Sequence, residues 1–396
     1  MNTERPLHQP TPYQSERFVL LLGIILIAST LRTPMTSVGP LLPFIQEGLG
    51  LSNAVAGSIT TIPLLAFALL SPFAPRIAER VGAERLVFAA LLFIAIGIGV
   101  RYFMYVPALF IGTVFIGAGI AVGNVLLPGI VKKNFPLHIG LVTGLYGISM
   151  NIVAAIGSGV SEPIARAGLN WNGSLAIWGF VVFFALVVWG VQLSKNKNQT
   201  DRFCHPLKPH LWRSRLAWSV TAFMGIQSLH YYTMMTWLPQ LLATHGYTPT
   251  SAGGCLPMMQ GAIVPMTFII PVLAGRMKDQ RIIGIGIGVC FLLANIGLYT
   301  GVLIPVWVIL MGIACGSGFG LSMMLFALRT STSIGASKLS GMAQAFGYLL
   351  AAFGPMVFGV TYDFSGSWQA PLLILATLSI FIVFVSLRAG KGQINN

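Results

Sequence analysis

The sequence predicts an all-α integral membrane fold: twelve transmembrane helices arranged as two parallel six-helix repeats. Three observations carry that prediction. Of 396 residues, 55% are hydrophobic and only 8% are charged, against about 25% charged in a soluble domain. Runs of about 20 apolar residues, the length that crosses the hydrocarbon layer as a helix, recur along the chain. The second half also repeats landmarks of the first at a nearly constant offset, as a duplicated unit does.

The runs fall at 18–45, 53–74, 86–105, 107–131, 139–164, 173–193, 216–242, 251–275, 282–300, 303–328, 339–362 and 368–387. Each is continuous rather than alternating, so each reads as a helix, which satisfies its own backbone in lipid, and not as a porin strand. The net charge of +14 would suggest nucleic acid in a soluble protein, but here it marks the loops. Lys and Arg concentrate before the first run, in 75–85, at Lys132 and Lys133, in 194–215, in 276–281, at Arg329 and Lys338, and at the end. The alternate loops hold only Arg101 and Arg166. By the positive-inside rule, both termini and the basic loops are expected in the cytoplasm of a bacterial-type cell membrane. The domain expectation is a cytoplasmic tail over 1–17, a six-helix bundle over 18–193, a cytoplasmic linker over 194–215, a second bundle over 216–388 and a tail over 389–396.

The repeat is visible residue by residue. Leu42, Pro43, Gly50 and Gly57 return 196 positions later as Leu238, Pro239, Gly246 and Gly253, and Gly119, Gly123, Lys132 and Trp171 return 197 later as Gly316, Gly320, Arg329 and Trp368. Six helices per unit is an even number, so both copies enter the membrane from the same side and the repeats are parallel.

Arg32 is the only charged residue between Phe18 and Ile45. A guanidinium near the bilayer centre costs about 2.5–3.5 kcal/mol on insertion scales, so it is expected to face a polar cavity with a partner. The nine acidic residues read as belonging to loops and tails. Two roles follow for Arg32: contact with an anionic or electronegative substrate, or a structural tie to carbonyls freed by Pro34 and Pro40. The absence of membrane carboxylates also argues against export of cationic drugs. No nucleophile, base and orienter cluster, HExxH or phosphate loop suggests an enzyme. Cys204, Cys255, Cys290 and Cys315 lack metal-ligand spacing, as do His205 and His210 beside Cys204, so neither metal nor cofactor is expected.

The stretch Pro75-Arg76-Ile77-Ala78-Glu79-Arg80-Val81-Gly82-Ala83-Glu84-Arg85 resembles the major facilitator signature G-x-x-x-D-R-x-G-R-R, and Gly275 to Arg281 keeps its glycine and acid at the same spacing. Leu31-Arg32 with Pro40-Leu41-Leu42, and Gly123 to Lys133 around Asn124 and Pro128, resemble the cyanate and 2-nitroimidazole transporter branch. The resemblance implies two bundles rocking about a midplane site, with Glu79, Arg80, Arg85 and Asp279 gating the motion. An ordinary positive-inside loop is the plainer reading of that stretch.

In this superfamily the first, fourth and fifth helices and their mates line the site, which nominates Ser29, Arg32 and Thr36, then Asn124 and Asn151. In the second half Gln227, His230 and Tyr231 on helix seven, Gln260 on helix eight, and Gln344 and Tyr348 on helix eleven are nominated. Ser228 is the repeat mate of Arg32, so the positive charge is not duplicated. The expected function is secondary active or facilitative transport of a small anionic or electronegative solute, cyanate-like or nitroimidazole-like, by alternating access. The alternative is proton-coupled export of neutral drugs or metabolites. Partners are the solute, the lipid bilayer and, if His230 titrates instead of serving as a hydrogen-bonded packing residue, protons; no nucleic acid is expected, and the chain reads as a monomer.

Overall fold

The computed structural model describes residues 12–51, 53–195, 211–247 and 249–394. Most of the expected N-terminal tail and linker, with Cys204, His205 and His210, therefore lies outside the described residues. Within them there are helices and turns and no strand.

The first apolar run is not one helix, as its length predicts, but three: α1 (Pro12–Thr30), α2 (Thr33–Thr36) and α3 (Val38–Leu49). Pro34 has no N–H to give to the carbonyl four residues back, and its ring crowds that carbonyl, so the helix opens just before it. Arg32 sits in the break with φ −131° and ψ −37°. The second run, α4 (Asn53–Leu70), turns by 57° into α5 (Ala74–Val81). Much of the stretch read as a signature loop is therefore helical, with Gly82 at φ +93° making the turn into α6 (Ala83–Arg101). That backbone angle costs glycine least, which explains the residue.

The first half continues with α7 (Val106–Asn134), α8 (Ile139–Ile164), a single wide turn at Ala165–Leu169, α9 (Asn170–Ala176) and α10 (Gly179–Lys195). The second comprises α11 (Arg215–Thr244), α12 (Pro249–Arg276), α13 (Arg281–Thr300), α14 (Ile304–Leu328), α15 (Ser333–Ser365) and α16 (Gln369–Ala389). Helix ends follow the local chemistry. Ser214 and Thr332 cap α11 and α15 by accepting from the backbone N–H of Ala217 and Gly335, at 3.3 and 3.0 Å, each satisfying a first-turn donor. Gly301 and Gly366 close α13 and α15 in the left-handed conformation, as helix-ending glycines do. Glu162, expected in a loop, lies in the last turn of α8 and pairs with the exposed Arg166 at 2.8 Å.

The same five helix pairings occur in each half. In the first, α1 packs on α8 and α10, α4 on α7, and α6 on α7 and α10; in the second, α11 packs on α15 and α16, α12 on α14, and α13 on α14 and α16. Lipid tails give no hydrophobic drive between helices, so packing relies on close approach at small residues. At the α6–α7 crossing Gly97 lies so near Gly112 that a Cβ on it would fall 2.6 Å from the Gly112 carbonyl oxygen. Between halves, α8 packs on α12, and α4 and α7 on α15.

Candidate functional site

The break between α1 and α2 turns the Arg32 side chain toward the second half. Its Nη1 donates to Asn151 Oδ1 at 2.6 Å. The Asn151 amide is oriented by its own helix, because Nδ2 donates to the Gly147 carbonyl at 2.9 Å and leaves Oδ1 to accept. Across the interface the guanidinium carbon lies 4.9 Å from the Tyr231 ring centre and 5.7 Å from that of Phe319. A cation over an aromatic face gains about 2 kcal/mol when desolvated. Among the described residues no carboxylate pairs with Arg32: its partners are an amide and two rings. It is only half-buried.

From Tyr231 the site extends in two directions. Gln260 Nε2 on α12 donates to the Tyr231 hydroxyl at 3.2 Å. Tyr231 meets Tyr232 edge-on at 5.1 Å, Tyr232 meets Tyr348 of α15 at 6.3 Å, and Tyr348 leans on Phe67 of α4 at 5.1 Å. Both halves thus contribute to one aromatic lining beside a single cation. Thr36 adjoins it, donating to the Ala154 carbonyl at 3.1 Å and tying the broken helix to α8.

Other nominated residues stand apart. Ser29 is buried and turns back to the Ile25 carbonyl at 2.9 Å. Gln227 bonds the adjacent Ser228 hydroxyl at 2.8 Å and packs along Gly318. His230, nominated with Tyr231, faces the other way: Nδ1 lies 2.9 Å from the Ile226 carbonyl and Nε2 3.1 Å from that of Leu375, with the ring against Phe291. Successive helical residues point about 100° apart, so the two side chains cannot share a face, and His230 is a fully buried packing residue of the second half. Asn124 contributes its backbone carbonyl, which accepts from Gln344 Nε2 at 3.1 Å across the halves. Sequence reasoning missed Phe67, Tyr232 and Phe319, because aromatic residues in apolar helices look alike until packing selects a face.

Below this level, toward the basic loops, the halves meet tightly. Added Cβ atoms on Gly140 and Gly144 of α8 would fall 2.5 Å from the Pro271 carbonyl oxygen and 2.9 Å from that of Phe268 on α12. On Gly341 of α15, one would fall 2.6 Å from the Ser71 carbonyl oxygen. Lys132 Nζ crosses to the Ala327 carbonyl at 2.5 Å and also to that of Thr330, satisfying acceptors at the end of α14. Glu79 pairs with Lys338 at 2.5 Å, again between halves.

A family model described as the Major Facilitator Superfamily matches residues 20–339. The chain belongs to the Major Facilitator Superfamily. It is 41% identical over 381 residues to a 2-nitroimidazole transporter of Escherichia coli, covering 95% of this chain and 96% of that protein. The cyanate transport protein CynX of the same organism is 24% identical over 375 residues, 93% and 96% of the two chains. These relatives place it in the cyanate and 2-nitroimidazole branch of the superfamily. Its fold matches the crystal structure of FucP, a superfamily transporter captured in the outward conformation, with a TM-score of 0.75 at 14% identity, over 95% of this chain and all of that one. The chain is thus a multi-pass membrane transporter with the major facilitator fold.

Among the described residues, Glu79 is the signature residue whose ion pair spans the halves. Arg80 and Arg85 are exposed, and Asp279 accepts from the backbone N–H of Arg281 at 2.9 Å, capping the start of α13 within its own half. The cross-half basic partners are Lys132 and Lys338, which the signature does not contain.

Proposed function

We propose that this transporter moves a small anionic or electronegative solute across the cell membrane by alternating access, with Arg32 as its principal contact. The observation that carries this reading is a half-buried arginine at the junction of the halves whose protein partners are all neutral. An uncompensated cation in a low-dielectric setting is costly, and a solute with negative charge or electron-rich oxygens offsets that cost. Asn151, Tyr231 and Gln260 orient the guanidinium and complete the contact; Tyr348 closes the wall. That relatives are named for 2-nitroimidazole and cyanate transport is consistent with a planar, electron-rich solute.

With the basic loops in the cytoplasm, the close contacts on that side correspond to an outward-facing state. Rocking about Arg32 would break the Glu79–Lys338 and Lys132 contacts and open the opposite route.

Charge and geometry at Arg32 can be tested apart. Lys keeps the charge but loses the planar fork, so Arg32→Lys is expected to bind solute more than tenfold more weakly, and Arg32→Gln to lose nearly all binding. Relieved of an unpaired cation, Arg32→Gln should melt no lower than the parent in the absence of solute. Thermal melts with and without 2-nitroimidazole read both quantities. An Arg32→Gln protein that melts lower yet binds normally would overturn the reading.

A further inference from the structure

Gln344 is completely buried on the face of α15 that meets the first half. Its Nε2 donates to the Asn124 carbonyl at 3.1 Å and to Ser340 Oγ at 2.8 Å. A backbone carbonyl can only accept, so the amide cannot be reversed and Oε1 must face the other way. There Oε1 is buried with no hydrogen-bond donor. A buried acceptor without a donor is costly, and a group kept in that state calls for an explanation.

Its position supplies one. Tyr348 lies one helical turn from Gln344 on the same face of α15 and belongs to the aromatic lining that runs from Phe319 past Arg32 to Phe67. A compact inorganic anion would engage the guanidinium and leave both the rings and Oε1 unanswered. We infer that the site recognises a flat, conjugated solute with an electron-rich group at one end, held by Arg32, and an N–H or O–H donor at the other, received by Gln344 Oε1. This rests on Arg32 being the solute contact and adds two features: the rings accept the solute's π faces, and the amide selects for a donor. Because Gln344 also bonds Asn124 across the halves, the donor end of the solute reaches the residue that begins the seal. Occupancy is thereby linked to the junction that has to open.

Isothermal titration of the purified full chain tests the inference with three probes: 2-nitroimidazole, its 1-methyl derivative, which lacks the ring N–H, and nitrate. One lost hydrogen bond to a buried acceptor corresponds to about a tenfold change in affinity. The parent is therefore expected to bind 2-nitroimidazole about tenfold more tightly than the methylated probe, and nitrate more weakly than either. Gln344→Met, close in size but without the acceptor, should bind the two organic probes equally. A methylation penalty of the same size in parent and Gln344→Met overturns the inference, as does equal binding of the two organic probes by the parent, or nitrate binding as tight as that of 2-nitroimidazole. The parent comparison alone decides if the variant does not fold. Failure of the Arg32 reading looks different: Arg32→Gln would then bind both organic probes as the parent does, with the methylation penalty intact.

Discussion

Arg101, 2% exposed at the end of α6, ties another helix to the backbone at the proline break. Its Nη1 donates to the Pro34 carbonyl at 2.9 Å, and Nε and Nη2 both reach Thr113 Oγ1, at 3.1 and 2.7 Å. The carbonyl beside the proline break is thus claimed from another helix, and Arg32 is left to face the second half. Lys lacks the fork needed to serve a hydroxyl and a carbonyl together. Arg101→Lys is expected to destabilise the protein by about 1–3 kcal/mol and to weaken solute binding several-fold by loosening α2; chemical denaturation and titration would measure the two effects. Reading Arg101 as a loop residue followed from its place at the end of an apolar run, since a helix that extends one turn further cannot be seen in composition. Arg32 and Asn151 were legible because a charge and an amide stand out in apolar helices. His230 was open to both a titrating and a packing reading because a polar residue announces its type but not its face.

Among the elements, the contact of α8 with α12 shows most clearly how backbone approach shapes the transporter. Gly140, Gly144 and Gly147 let α8 lie against the backbone of α12, with Gly147 meeting the Thr267 carbonyl oxygen at a would-be Cβ distance of 3.0 Å. The small residues of α8 thus serve close packing. Gly140→Leu would wedge the seam where Gly140 meets Pro271 and Gly275. The expected result is a shift of the population toward the state open at the basic end, seen as longer spin-label distances between the ends of α8 and α12. Gly99→Ala, at a position with open space around it, should leave those distances unchanged; an unchanged distance in Gly140→Leu would show that the seam does not hold the closed state. All twelve apolar runs carry helices, because run length and continuity are set by the bilayer and are written directly in composition. The breaks at Arg32 and after Leu70 were less visible, since a proline permits a bend and the neighbouring helices decide its size.

For the whole molecule, closure at the basic end combines that dry glycine contact with partly exposed charges. Glu79 and Lys338 retain about a third and a fifth of their side-chain exposure, so their pair is worth about 0.2–1 kcal/mol and biases the equilibrium without locking it. Glu79→Gln is expected to change the transport rate by about 1.5- to 5-fold, the same energy expressed as a ratio, with solute affinity unaltered; the exchange Glu79→Lys with Lys338→Glu should restore the parent rate in vesicle uptake. Loss of affinity in Glu79→Gln would assign that residue to the site instead. The asymmetry of charge, one arginine set against aromatic rings, also bears on how the chain is made. Arg32 and the Asn151 that receives it are 119 residues apart, so at about 5–20 residues per second the ribosome delivers the acceptor about 6–24 s after the donor. During that interval the first segment must reside in the bilayer on its own hydrophobicity. Ten Leu, Ile, Val and Phe residues lie between Phe18 and Leu31, each favouring insertion by about 0.3–0.6 kcal/mol, which is enough to carry one arginine costing about 2.5–3.5 kcal/mol. The nascent chain can therefore hold its binding cation in place before the amide and the two rings that it contacts have been synthesised.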